Sequence, residues 1–311
     1  MLEVLSYMAA LMACGAAWRS LKPGGVDPET LRHALTGLVY YLLLPAVVID
    51  TLWRAPLDLD TLRIAVSAAA SIALSMGLAL LAYRALRIGR PDAPTAGALI
   101  LAASFPNAVY LGLPVLERLL GSEEGRALAI QYDVFGAVPL LFTLGVLVAQ
   151  RHGTRRPGPG NPPAWQGLLR VPSLWAALVA MTLNLLEVPM PGWPREWLGM
   201  LAAAVVPLML FSLGLGLRLQ EPLHRRLPLL VPVLVIQLAL MPALTWALAT
   251  GLGLSGDRLL GLTLEGAMPS MVVGVILCDR FGLNTTLYAS AVTVCTLASL
   301  VTLPLWYAWL T

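Results

Sequence analysis

The chain has 311 residues, 58% of them hydrophobic and only 12% charged, with a formal net charge of +3. Soluble proteins carry about 25% charged residues, so this composition excludes a soluble globular domain, and the small net charge gives no basis for binding nucleic acid. The apolar surface must face a lipid bilayer.

About 20 residues at 1.5 Å each cross the hydrocarbon core. Ten stretches reach or approach that length. The first, 2–18, contains Leu11-Met12-Ala13-Cys14, a lipoprotein-like box. No Lys or Arg precedes it and Glu3 is acidic, so it reads as a retained helix and not a signal peptide. The second, 33–53, holds Pro45 and ends near Asp50, which is expected as a solvated helix end. The third runs 62–83. The fourth, 93–119, is interrupted by Ser104-Phe105-Pro106-Asn107, and the fifth, 124–150, carries Gln131 and Asp133. Residues 151–167 are rich in Pro, Gly and Arg, a composition that makes a linker. The sixth to eighth follow at 171–187, 197–217 and 228–252. The ninth, 259–278, reads Glu265-Gly266-Ala267-Met268-Pro269-Ser270, and the tenth is 286–310. Cys14, Cys278 and Cys295 are scattered through apolar stretches, which fits neither a disulfide framework nor a zinc site.

Basic residues set the orientation. With the N-terminus outside, fourteen Lys and Arg fall on the cytoplasmic side and six outside. The expectation is both termini outside and the linker in the cytoplasm, in a multi-pass protein of the inner cell membrane. The linker divides the chain into a first five-helix repeat, 1–150, and a second, 168–311. Pro45 and Pro207 are 162 apart, Pro106 and Pro269 163, and Pro139 and Pro304 165. Three proline pairs at nearly one offset indicate duplication. An odd number of spans per repeat inverts the second copy. Such inverted repeats recur in secondary transporters, whose substrates bind near the midplane between broken helices. The predicted fold class is therefore an all-α integral membrane protein of ten transmembrane helices, a five-plus-five inverted repeat with broken crossover helices in spans four and nine.

Those two breaks are the candidate site. Proline removes a backbone donor and clashes with the preceding turn. Non-helical backbone at membrane depth is tolerated where it is packed in protein or lines a cavity. The N-terminal ends of half-helices suit an anion, and the opposite ends suit a cation. Asn107 follows Pro106 with an amide suited to a carboxylate, and Ser270 holds the matching place after Pro269.

The segment FPNAVYLGLPVL at 105–116 resembles the Pro-Asn crossover of the auxin efflux carrier family, and EGAMPSMVVGVILCDRFG at 265–282 resembles its second crossover. LLLPAVVID at 42–50 and VVPLMLFSLGLGL at 205–217 fit further spans of that family, so the resemblance covers nearly the whole chain. It implies a scaffold of spans 1, 2, 6 and 7, a mobile transport domain of spans 3–5 and 8–10, elevator-type motion and a homodimer. It implies substrate binding by Asn107 and places Gln131 where plant carriers have a glutamine. Ser270 and Glu265 depart from the plant pattern, and the long cytoplasmic loop of plant carriers is absent, which argues against auxin as substrate.

Asp133 and Glu265 are the deepest acids. An ionised carboxylate at a helix centre costs about 2.5–3.5 kcal/mol on insertion scales, and such residues mark pathways. Glu265, one turn before Pro269, is the expected coupling-ion residue, as a proton carrier or sodium ligand; Asp133 is the second candidate. Ser104, Pro106, Asn107, Tyr110, Gln131, Pro269 and Ser270 form the expected substrate set. No cofactor is expected beyond coupling to sodium or protons. His33, His152 and His224 sit in loops or at span ends without a catalytic motif, which argues against an enzyme. The alternatives are a sodium–proton exchanger of similar topology and a ligand sensor that does not transport.

Overall fold

The structure is a computed structural model that describes residues 2–155, 169–216 and 226–311. Most of the expected linker, together with His224, lies outside the described residues. Within them the protein is all helical. The helices fall in ten stretches: α1 (Leu2–Leu21), α2 (Pro28–Leu52), α3 (Leu59–Ala85), the pieces α4a (Ala93–Ala102) and α4b (Leu113–Leu120), α5 (Glu124–His152), α6 (Pro172–Leu185), α7 (Gly192–Gly216), α8 (Leu227–Gly251), the pieces α9a (Gly256–Gly266) and α9b (Gly274–Phe281), and α10 (Thr285–Leu310). Six of these are long and apolar enough to cross a membrane: α2, α3, α5, α7, α8 and α10.

The starts follow capping chemistry. Asp27 accepts a hydrogen bond from the Thr30 amide with Pro28 at the first helical position, so α2 begins five residues before the hydropathy boundary. Asp92 does the same for the Thr95 amide at α4a, and Asn284 for the Leu287 amide at α10.

The prolines divide into two kinds. Pro45, Pro114, Pro139 and Pro242 each follow a π-helical turn by two residues; those turns are Val39–Leu43, Ala108–Gly112, Tyr132–Ala137 and Ile236–Leu240. The wider turn takes up the donor that proline lacks and the room its ring needs. Pro207 and Pro304 sit inside continuous α-helix. Of the three proline pairs noted in the sequence, only Pro106 and Pro269 interrupt both helices.

Two compact units result. The first comprises Met1–Asp58, Val109–Ile130 and Leu169–Leu217. In it α1 lies along α7 at backbone contact. A Cβ at Gly15 would strike the Phe211 carbonyl, and one at Gly214 would strike the Met12 carbonyl. Small residues allow such approach inside a membrane. Asn184 of α6 points its amide at the carbonyls of Leu52, Trp53 and Ala55, at 2.9–3.0 Å, which satisfies the C-terminus of α2. Asp50 corrects the sequence reading. It is buried, 2% exposed, and its carboxylate holds Arg54 at 2.9 Å and Arg126 at 3.1 Å. Arg126 also binds Glu117, and Arg54 binds Glu123. Hydropathy placed Asp50 at a helix end, and the distant Arg126 could not be seen from local sequence.

The second unit comprises Leu59–Ala108, Gln131–Leu168 and Arg218–Thr311. In it α3 packs on α8 and on the π-helical turn of α5, α8 packs on α9a, and α10 packs on α4a. Gly136 lets α5 close on Ala68 of α3, and Gly266 lets α9a close on Thr245 of α8. This unit holds the paired breaks.

Candidate functional site

Helix α4a stops at Ala102 and α9a at Gly266, and after each a turn leads into a short extended piece at Pro106 and at Ser270. The two extended pieces pair. The Asn107 amide donates to the Pro269 carbonyl at 2.7 Å, and the Met271 amide donates to the Phe105 carbonyl at 2.9 Å. Pro106 and Ser270 thus face each other as an isolated antiparallel bridge. Each break supplies the partners the other has lost, the accounting that buried backbone demands.

Side chains close the rest. The Ser270 hydroxyl donates to the Ala102 carbonyl at 2.5 Å, which caps the end of α4a. The Ser104 hydroxyl, in the turn just past α4a, donates back to the Ile100 carbonyl at 2.6 Å. Gln237 of α8 donates to the Met268 carbonyl at 2.9 Å, and Tyr288 of α10 donates to the Met271 carbonyl at 2.8 Å. Gly274 is needed there, because a Cβ would overlap the Tyr288 hydroxyl.

After this accounting certain polar atoms remain. Asn107 is 2% exposed and its side-chain nitrogen has no hydrogen-bond partner among the described residues. Glu265 is fully buried and neither carboxylate oxygen has such a partner. Gln237 is fully buried and its Oε1 is likewise unpaired. A buried amide or acid without a partner costs on the order of 1–3 kcal/mol or more, and it persists where a ligand supplies the partner. The set contains one donor, on Asn107, and three acceptors, on Glu265 and Gln237. A donor suits an anion's oxygen. Acceptors suit a cation or a proton.

The other expected residues are placed as follows. Asp133 lies half-buried in the π-helical turn Tyr132–Ala137, close enough to Glu265 for the two carboxylates to repel. Buried Tyr132 sits beside both acids, with its hydroxyl towards Ser71. Gln131 is buried one residue earlier. Tyr110 is buried one turn after the first break, and its residue falls in the first compact unit. His152 is buried at the end of α5, with Nδ1 against the Val148 carbonyl. No group of three metal-binding side chains occurs among the described residues.

Sequence reasoning missed Gln237, Tyr288 and the serines of α3. Ser67, Ser71 and Ser75 are fully buried at spacing i, i+4, i+8, one face of the helix. That spacing was a readable signal, as was a lone amide in apolar α8. Tyr288 had no local signal, because its role depends on Gly274 meeting it in space.

An all-helical chain with several membrane-length apolar helices, two of whose interrupted helices pair around buried polar groups, is a multi-pass membrane protein of transporter class. The membrane transport protein family model matches residues 5–307. The chain belongs to this family, the auxin efflux carrier family that its crossover motifs resemble. Relatives agree. It is 32% identical over 288 residues to an uncharacterized transporter of Methanothermobacter thermautotrophicus, covering 92% of this chain and 91% of that protein. It is 25% identical over 288 residues to one of Methanocaldococcus jannaschii, covering 91% of each. It is 26% identical over 208 residues to the uncharacterized transporter YfdV of Escherichia coli K12, covering 66% of this chain and 65% of that protein.

Proposed function

We propose that this protein is a secondary active carrier for a small organic anion, a carboxylate, bound beside the crossing of α4 and α9. The observation that carries this reading is the buried side-chain nitrogen of Asn107, which has no partner among the described residues although its own backbone amide is bonded across the crossing to Pro269. A carboxylate oxygen supplies the missing acceptor, and half-helix N-termini add favourable potential. Glu265 carries the coupling cation, sodium or a proton, and Asp133 is the second acid of that site. Pro106, Ser104, Pro269 and Ser270 shape the crossing, while Gln131 completes the substrate contacts.

The architecture in this reading is ten crossings in inverted five-helix repeats, with both termini outside the inner membrane and the linker in the cytoplasm. The first compact unit serves as scaffold and homodimer surface, and the second moves as an elevator. The collection of α1, α2, α6 and α7 in one unit and of α3, α8, α9 and α10 in the other supports that division. Residues 109–130 fall with the first unit, whereas the family resemblance assigns spans four and five to the transport domain.

The test is ligand-dependent thermal stability of the purified protein against a panel of small mono- and dicarboxylates, in sodium and in potassium buffer. A ligand at 100 times its Kd adds about 2.7 kcal/mol. One carboxylate should stabilise the wild type and not Asn107→Ala. Equal stabilisation of that variant removes Asn107 from the site.

A second reading is a sodium–proton exchanger. The presence of two acids, Asp133 and Glu265, within the apolar second unit favours it. Stabilisation by sodium with no response to any carboxylate, abolished in Glu265→Gln, would establish it over the anion carrier.

A further inference from the structure

We infer that the second unit carries a binding site for an anionic membrane phospholipid, with an acyl chain in a groove between α3 and α8 and the head group against Arg84, Arg87 and Arg90. Two observations carry it independently of the transport reading. The first is shape. A groove of about 530 Å³ lies between the end of α3 and the start of α8. Small-molecule sites span about 300–1,000 Å³. Its wall is apolar, and six of its large side chains (Leu81, Leu86, Ile88, Val231, Val235 and Leu240) are 39–64% exposed. A chain that crosses a bilayer meets acyl chains on such a face.

The second observation is charge. Leu86 and Ile88 of the groove alternate with the exposed Arg84, Arg87 and Arg90, and none of the three forms an ion pair among the described residues. The nearest acid in sequence, Asp92, is committed to capping the Thr95 amide. The turn is fixed. Ile88 donates to the Ala82 carbonyl at 3.0 Å, and a Cβ on Gly89 would come within 2.6 Å of Leu229 at the start of α8. Arg87 and Arg90 adopt φ of 51° and 49°, the left-handed region that glycine fills without cost. Exposed cations on the same turn as two groove residues, two of them in unfavourable backbone, match a phosphate with a hydrocarbon tail. Basic pockets beside transmembrane helices bind anionic head groups in this way.

The test uses the full chain, purified in neutral detergent and titrated with phosphatidylglycerol, with phosphatidylcholine of the same chains, and with inorganic phosphate. Phosphatidylglycerol should raise the unfolding midpoint and remain bound in native mass spectrometry, while the other two have little effect. Each of Arg87→Gly and Arg90→Gly should weaken phosphatidylglycerol about fivefold. Both variants relax the backbone, so a failure to fold does not explain such a loss. Val231→Trp fills the groove and should weaken the same lipid with the arginines intact. Equal response to both lipids, equal response to inorganic phosphate, or unchanged affinity in the glycine variants and Val231→Trp would overturn the site.

Discussion

The main-chain amide of Asn107 donates to the carbonyl of Pro269, so the residue that offers its side chain to a ligand is anchored by its backbone to the opposite break. The Met271 amide returns a bond to Phe105. Neither bond involves a side chain, so side-chain substitutions at the crossing separate support from binding. Ser270→Ala leaves the Ala102 carbonyl without its hydroxyl donor in a buried place and should cost about 1–3 kcal/mol. Ser104→Ala strips the hydroxyl donor from the Ile100 carbonyl, which the Ser104 amide bypasses for Leu101, and should likewise cost about 1–3 kcal/mol. Thermal unfolding in detergent compares the two. A wild-type midpoint for Ser270→Ala would show that Ser270 does not close α4a.

Asp50 tests the first unit. Its carboxylate is buried and shared by two arginines that are themselves 29% and 17% exposed. Removing one partner of a buried pair costs about 3–5 kcal/mol, and partial exposure of the arginines puts Asp50→Asn near the lower end. Glu123 is 78% exposed and binds Arg54. Glu123→Gln should cost about 0–1 kcal/mol, and less in high salt. Chemical or thermal unfolding of the two variants at low and high salt reads the difference.

How much could be read beforehand follows from which constraints are local. Six membrane-length helices and both breaks were legible because the bilayer fixes a length and proline fixes a donor deficit. Asp50 was misread because Arg126 lies 76 residues away. The π-helical turns before Pro45, Pro114, Pro139 and Pro242 were not read because hydropathy does not distinguish helix widths. Asn107 and Glu265 were legible as polar residues in apolar runs. Gln237 carried the same signal, but it stands apart from the crossover motifs.

The contact of α1 with α7 rests on two glycines. A methyl group at Gly15 meets the Phe211 backbone, and one at Gly214 meets the Met12 backbone. Backbone cannot rotate aside as a flexible side chain does. Gly15→Ala and Gly214→Ala should each cost about 1–3 kcal/mol through forced separation of the helices. Gly77→Ala, where a Cβ meets nothing within 4 Å, is the control and should be neutral or slightly stabilising. A midpoint for Gly15→Ala equal to that of the control would contradict the close packing.

Gln237 links α8 to the second break. Its Nε2 donates to the Met268 carbonyl at 2.9 Å, while its buried Oε1 has no partner among the described residues. Gln237→Leu strips the donor from a carbonyl one turn beyond Glu265 and should destabilise by about 1–3 kcal/mol. Removing the unpaired oxygen offsets part of that loss. If Oε1 and the Glu265 carboxylate serve one cation, the variant should also lose its thermal response to sodium, as Glu265→Gln should. Gln237→Glu makes the discriminating comparison, since an ionised Glu keeps acceptor oxygens and loses the amide donor. A sodium response kept in Gln237→Glu and lost in Gln237→Leu assigns the oxygen to the cation. A response kept in both assigns Gln237 to the backbone of the break alone.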